Sequence, residues 1–183
     1  FNSKFSQTYN GLVVLGANTT LNGTQITTSS TVAGSATRYD LTVTGPTATD
    51  GALTTGGSMT SLGILSVKGL ATLGGTQVSS GGIQTYNTNV VMQDTGSAFS
   101  FDSSLAGGAN ISVTGTLTSP NAKSLAINAG AAGDVSLLSD VAGTPSFTTV
   151  TVSGAHLSLP AMTASTGITL NPSVSGTVGV DRK

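Results

Sequence analysis

The sequence predicts an all-β protein built as a right-handed parallel β-solenoid of about seven or eight coils, and three observations lead to this prediction. The first is composition: Gly, Ser and Thr supply more than two-fifths of the 183 residues, while charged residues are 7% and Glu, Trp and Cys are absent. A surface of Ser and Thr is typical of strands and turns rather than helices. The second is a recurring alternation of apolar and polar residues. The third is internal repetition, which indicates stacked units.

The alternation appears in five short runs with apolar residues at positions i and i+2. These runs are residues 41–44, 65–68, 111–114, 125–128 and 150–153. A period of two places both apolar side chains on one face of a strand and the small polar ones on the other. Four of the five runs are followed directly by Gly, which tolerates the backbone angles of a sharp corner.

The spacing of these runs predicts the length of one coil. Leu41 to Leu65 is 24 residues, Leu65 to Ile111 is 46, and Leu125 to Val150 is 25. These steps are near-multiples of a unit of about 23 to 26 residues, which is a solenoid repeat length. The step of 14 from Ile111 to Leu125 does not fit, and indicates either a shortened coil or a strand on a different face. At about 4.8 Å per coil the rod would be about 35 Å long. We predict one repeat-built domain over residues 1–183, either a segment of a longer shaft or a polymerising subunit.

Whole phrases of the sequence also recur. Gln-Thr-Tyr-Asn at 7–10 returns at 84–87, each time followed two residues later by a Val-Val pair; residues 20–28 are echoed by 72–80, and 41–45 by 111–115. The first echo predicts that Tyr9 and Tyr86 occupy equivalent positions and pack structurally. The alternative fold is a β-sandwich, with hairpin turns at Asn10-Gly11 and Asn22-Gly23. A sandwich gives no reason for nine-residue phrases to recur, so the solenoid is favoured.

These phrases resemble the repeat region of filamentous haemagglutinin-like exoproteins over most of residues 6–154. The resemblance implies the parallel β-helical shaft of a secreted or surface-displayed adhesin, exported through the outer membrane by a dedicated partner. That family's secretion domain carries an Asn-Pro-Asn type motif, whereas here Asn171-Pro172 is followed by Ser173. We therefore expect a rigid stalk or filament subunit, extracellular or at the cell surface. Expected partners are further copies stacked end to end, the continuation of a longer chain, and host or cell-surface glycans.

The charge pattern argues against two classes of partner. The net charge is −1, and the six basic residues are spread along the chain, so no patch is predicted to neutralise nucleic-acid phosphates. No stretch approaches the roughly 18 apolar residues of a membrane-spanning helix. So few charges provide little repulsion between copies, which favours self-association. The absence of Cys excludes disulfides and is typical of exported bacterial surface proteins.

One imidazole is present, and its surroundings do not predict catalysis. His156 stands two residues before Ser158, and a nucleophilic triad would need Asp134 or Asp140 brought beside it. The simpler interpretation is that His156 faces solvent while Leu157 and Leu159 point inward. We predict that the protein is not an enzyme.

Paired carboxylates would indicate a carbohydrate-cleaving β-helix, the main alternative class together with a carbohydrate-binding one. Asp94 with Asp102 is the first candidate pair, and Asp134 with Asp140 is the second. Because Glu is absent and no Asp pair is close in sequence, no catalytic residue, metal site or cofactor is predicted. The glycine pairs at 74–75 and 107–108 lack the Lys-Ser/Thr of a phosphate loop and are interpreted as corners. Sugar stacking would require exposed rings, for which the candidates are Tyr9, Tyr39 and Tyr86.

Threonine rows raise a lesser alternative, which is ice binding. The candidate sets on one flat face are Thr42/Thr44, Thr114/Thr116/Thr118 and Thr149/Thr151. The corresponding positions of other runs carry Ser66/Lys68 and Ala126/Asn128, so we expect interrupted rows. Thr is then an ordinary β-forming surface residue.

Overall fold

The structure is a computed structural model that describes residues 5–47, 50–93, 96–141 and 147–174, together with the backbone of a strand at 179–180. Its only helical segment within these ranges is a 3₁₀ turn at Ser104–Ala106. The strands, in chain order, are β1 (Gln7–Tyr9), β2 (Val13–Val14), β3 (Thr19–Asn22), β4 (Gln25–Thr28), β5 (Val32–Ala33), β6 (Leu41–Thr44), β7 (Ala52–Thr55), β8 (Met59–Leu62), β9 (Leu65–Val67), β10 (Ala71–Leu73), β11 (Gln77–Ser80), β12 (Gln84–Tyr86), β13 (Val90–Met92), β14 (Ala98–Asp102), β15 (Ile111–Val113), β16 (Leu117–Thr118), β17 (Ser124–Asn128), β18 (Val135–Leu137), β19 (Phe147–Gly154), β20 (Leu157–Leu159), β21 (Ala164–Pro172) and β22 (Gly179–Val180).

The strands form three parallel sheets, and consecutive strands in the chain step from one sheet to the next. Sheet 1 has the order β1-β4-β7-β10-β13-β16, sheet 2 the order β2-β5-β8-β11-β14-β17-β19-β21, and sheet 3 the order β3-β6-β9-β12-β15-β18-β20-β22. Two isolated parallel bridges at Val141 continue sheet 1 beyond β16. This is a parallel β-solenoid of eight coils, so the predicted fold class and coil number are confirmed. The β-sandwich alternative is wrong, because Asn22-Gly23 turns a corner between two sheets instead of closing a hairpin.

The pairing register explains the spacing of the alternating runs. In sheet 3, Leu41 pairs with Leu65, and Ile111 follows two coils later through Gln84. Leu125 lies in sheet 2, so the step of 14 that did not fit is a change of face. Coil length varies, since Ile26 pairs with Leu53 27 residues on, whereas Leu53 pairs with Ala71 after only 18. The predicted unit of 23 to 26 residues is therefore too regular.

The predicted equivalence of Tyr9 and Tyr86 is wrong. Tyr9 lies in β1 of sheet 1, while Tyr86 lies in β12 of sheet 3. The phrase at 20–28 is likewise displaced by one sheet from its echo at 72–80, because the first turns from β3 to β4 and the second from β10 to β11. Each phrase encodes a strand and the corner beside it. Strands and corners occur on all three sheets, so the same phrase can recur on a different sheet. Only the echo of 41–45 at 111–115 joins equivalent positions of one sheet.

The inward residues of the three sheets make one continuous core. In sheet 3 one inward row stacks side chains along six coils, namely Leu21, Val43, Val67, Tyr86, Val113 and Leu137. Burying a Val, Leu or Phe side chain stabilises the fold by about 1.5–3 kcal/mol. The widest side chains meet in the middle of the rod, where Tyr86 packs edge-on against Phe101 with 5.6 Å between ring centroids. Within the described ranges, no helix is long and apolar enough to cross a membrane.

Candidate functional site

His156 and Asp134 are brought together by the stacking of two adjacent coils. Asp134 directly precedes β18 and His156 directly precedes β20, and these strands are neighbours in sheet 3. The His156 Nδ1 atom lies 2.7 Å from Asp134 Oδ1, and the His156 backbone N–H donates to the same oxygen at 3.1 Å. Because the carboxylate accepts, Nδ1 carries the proton of this hydrogen bond. Both side chains are well exposed, at 62% and 47%.

This pair belongs to a series of hydrogen bonds that we call the corner ladder. At the corner before sheet 3, an Asn or Asp side chain accepts the backbone N–H of the equivalent residue one coil later. Asn18 Oδ1 accepts from Asp40 N, and Asp40 Oδ1 accepts from Ile64 N. Asn110 Oδ1 accepts from Asp134 N, and Asp134 Oδ1 accepts from His156 N. The contact that first suggests a catalytic dyad thus follows a structural pattern seen in three other coils.

Ser158 does not complete a triad. It lies on the outward face of β20, and the described residues show no hydrogen bond between its hydroxyl and His156. Leu157 and Leu159 are 3% exposed, so the prediction that His156 faces solvent while Leu157 and Leu159 point inward is confirmed.

The candidate carboxylates are separated by the fold. Asp134 precedes β18 and Asp140 follows it, and the three residues of this strand span about 10 Å. Asp102 ends β14, accepts the Ser104 N–H at 2.9 Å, and has Ser79 and Asn128 as its neighbours in the adjacent coils. Asp94 lies outside the described residues. Among those that are described, no group of three or more His, Cys, Asp or Glu side chains could hold a metal ion.

The three tyrosines pack against the core. Tyr86 is completely buried and donates to Gln84 Oε1 at 3.3 Å, and Tyr9 makes the same local bond to Gln7 Oε1 at 2.7 Å. Burial raises the pKa of both phenols, because the charged form would lose its hydration. Tyr39 is partly buried against the same core. A structural role for the recurring Gln-x-Tyr pair therefore holds, although its two copies lie on different faces.

The outward hydroxyls form rows, but not a threonine lattice. One outward row of sheet 3, which we call the hydroxyl row, is Thr20, Thr42, Ser66, Thr85, Ser112, Ser136 and Ser158. The parallel row beside it is interrupted by Lys68, whose Nζ donates to Gly45 O at 2.9 Å. Interruption at Ser66/Lys68 was predicted, whereas Ala126/Asn128 belong to sheet 2 and are not equivalent to Thr42/Thr44. Thr114 directly follows β15 of sheet 3, whereas Thr118 lies in β16 of sheet 1.

A shallow groove runs along the outer face of sheet 2, with a volume of about 470 Å³. Ala98 and Ala126 keep its floor low, while Gln77, Ser124 and Thr151 offer amide and hydroxyl groups along it. Among the described residues, no charged side chain lines it. The groove offers hydrogen bonds to a neutral polar ligand.

A second cleft lies at the corner between sheets 2 and 3, beside Arg38, and sequence reasoning did not find it. Arg38 and Ser61 are the two non-glycine residues with positive φ among the described residues, at 56° and 53°. A signal existed, because Arg38 is one of only six basic residues in the chain. Its backbone conformation and its neighbours from later coils are not readable from spacing.

No protein-family model matches the chain, and no curated protein or solved structure is detectably similar to it. The described strands alone therefore define the fold. The likeness to haemagglutinin-like repeats remains a resemblance of sequence phrases.

Proposed function

We propose that this chain is a rigid structural element, a stalk segment or filament subunit of an exported bacterial surface adhesin. The observation that carries the proposal is the unbroken stacking of sheets 2 and 3 through eight strands each, around one continuous core. In a solenoid every coil is held by its neighbours, so stiffness accumulates along the axis. The sequence resemblance to adhesin shafts supports the surface location.

Immunogold electron microscopy of intact producing cells tests this proposal. Antibody raised against the chain should decorate thin projections outside the cell envelope. Preimmune serum and cells lacking the gene are the controls. Label confined to the cell interior, or confined to the envelope without projections, would contradict a surface shaft.

Self-association end to end is part of the same proposal, with continuation into a longer chain as the other way of covering the terminal coils. Among the described strands, β21 pairs only with β19 at one end, and β1 pairs only with β4 at the other. Unpaired strand edges recruit further strands. Ile168 points in the same direction as its buried partner Val150, yet it is 42% exposed. A second copy stacked there would cover both the edge and this side chain.

Carbohydrate binding is the second candidate function, and the groove on sheet 2 favours it. A neutral oligosaccharide presents hydroxyls that can hydrogen-bond to the amide and hydroxyl groups lining the groove. Replacing Ala126 by Leu would fill the groove, while Thr72→Leu adds bulk to the outer face of sheet 1 as a matched control. Neutral-glycan binding that is lost in A126L and kept in T72L would support this function; binding that is absent from the native protein would refute it.

A further inference from the structure

We propose that the cleft beside Arg38 binds a hydroxylated carboxylate, the chemistry of a uronic-acid unit in an acidic polysaccharide. The cleft has a volume of about 320 Å³ and is built by three successive corner loops between sheets 2 and 3. They supply Arg38 and Asp40 from the second coil, Gly63 and Ile64 from the third, and Gly81 and Gly82 from the fourth. This inference does not depend on the shaft, which remains a shaft whether or not the cleft is filled.

The backbone around this cleft is strained at two points. Arg38 has φ 56°, and its N–H donates to Ser35 O at 2.9 Å in the turn that holds it there. Ser61, with φ 53°, lies one coil further on and two residues before Gly63 of the cleft. Left-handed backbone is costly for residues with a Cβ, and such residues concentrate at binding sites. Ser61 lies within β8, at the bulge in its pairing with β11, so the strain in the corner loop itself is that of Arg38.

The Arg38 side chain lies against the backbone of Gly81, which has no side chain. A Cβ built at Gly81 would lie 2.9 Å from Arg38 Cδ and 3.2 Å from Nη1, so a larger residue at this position would push the arginine side chain out of its present position. Within the described residues, the guanidinium makes no hydrogen bond and no ion pair. Its five N–H donors are therefore available, and a planar fork of donors matches a carboxylate in a bidentate bond.

The other walls of the cleft decide which anion fits. Asp40 Oδ1 already accepts the Ile64 N–H at 2.7 Å, but Asp40 Oδ2 makes no hydrogen bond within the described residues. That oxygen would accept from ligand hydroxyls, and its negative charge would repel a doubly charged phosphate or sulfate. Ile64 is 43% exposed and offers an apolar contact to the carbon face of a sugar ring. A cation, an acceptor and an apolar wall together suit a sugar acid.

Calorimetric titration of the whole chain with trigalacturonate tests this assignment, with neutral maltotriose as the matched ligand. Arg38→Asn removes the guanidinium while keeping a residue that tolerates left-handed backbone, and it should weaken trigalacturonate binding at least about tenfold. Gly81→Ala should also weaken it, because the new Cβ displaces the arginine without removing its charge. Lys68→Gln removes one positive charge elsewhere on the surface and should stay within about twofold of the native affinity.

Several outcomes would overturn the proposal. They are the absence of trigalacturonate binding to the native protein, equal binding of maltotriose, unchanged binding by R38N, and an equal loss in K68Q. If sodium sulfate displaced trigalacturonate at the concentration at which the sugar acid itself binds, the cleft would have no preference for a hydroxylated carboxylate, and the proposal would be refuted. Circular dichroism checks that each variant is folded, and if R38N does not fold, G81A decides the result.

Discussion

A single carboxylate oxygen, Oδ1 of Asp134, receives both the backbone N–H and the Nδ1 proton of His156, at 3.1 and 2.7 Å. The backbone bond repeats in the corner ladder, while the imidazole bond is particular to this coil. Asx side chains readily bond to nearby backbone, and here the partner lies one coil away in space and 22 residues away in sequence. The ladder therefore links successive coils outside the sheets.

We expect Asp134→Ala to destabilise the protein by about 1 kcal/mol, because the His156 N–H loses its acceptor in a partly exposed corner. Asp134→Asn keeps an oxygen for that N–H and should lose less. The measurement is urea unfolding at neutral pH. Asp140→Ala is the control, because the hydrogen bond of Asp140 at its own corner is made by its backbone carbonyl, which accepts from Leu117 N at 3.2 Å and is kept in the variant. Equal losses in D134A and D140A would contradict a role for the ladder.

Stability should fall as the pH rises above about 10, and Tyr86 should cause most of the fall. Burial raises the pKa of Tyr86 above its ordinary value of 10.0, so the unfolded state releases this proton at a lower pH than the folded state does. The contribution is complete below pH 10 and declines above it, by up to about 1.4 kcal/mol per pH unit. Urea unfolding of Tyr86→Phe between pH 8 and 11 should show a flatter profile.

Tyr9→Phe is the comparison for this experiment. Burial also raises the pKa of Tyr9, but its side chain is only partly enclosed, so its removal should flatten the profile less. A native profile that stays level to pH 11, or a Y86F profile that falls as steeply as the native one, would contradict the prediction.

The fold was predictable because the solenoid needs only local signals. Alternation as in Leu41-Thr42-Val43-Thr44 decides which side chains point inward, and a following glycine marks the corner. Each of the five runs used for the prediction falls on a strand of the structure, although Lys68 and Thr114 lie just beyond the ends of theirs. Their inward residues belong to the core.

The face occupied by each strand was not predictable, because corner loops differ in length. The chain takes 11 residues from the start of β6 at Leu41 to the start of β7 at Ala52, but only 6 from the start of β9 at Leu65 to the start of β10 at Ala71. Because coils differ in length in this way, a fixed repeat length soon assigns residues to the wrong sheet. Tyr9 and Tyr86 were misplaced for this reason. The Arg38 cleft escaped notice for a related one, since Arg38 and Gly81 are 43 residues apart and meet only through stacking.

Two adjacent glycines should respond differently to Ala. Gly107 and Gly108 both have positive φ, at 92° and 119°, so either substitution strains the backbone by about 1 kcal/mol or more. A Cβ at Gly107 meets nothing within 4 Å, whereas one at Gly108 would lie 2.9 Å from Gly133 N and 3.0 Å from Ala132 N. Thermal unfolding should therefore rank Gly108→Ala clearly below Gly107→Ala. Equal melting temperatures would show that the next coil does not press on this corner.

End-to-end association should depend on the inward side chain of the last complete sheet-2 strand. Ile168→Lys places a charge over the end of the core, and a desolvated, unpaired ammonium there opposes stacking of a second copy. Thr169→Lys adds the same charge one residue away on the outward face, where Thr169 pairs with Thr151. Sedimentation velocity over a concentration series should show larger species for the native protein and T169K, and monomer for I168K. If the native protein remains monomeric at every concentration, end-to-end association is contradicted, and continuation into a longer chain is then the way this edge is covered. If I168K associates as strongly as T169K, the contact between copies lies elsewhere.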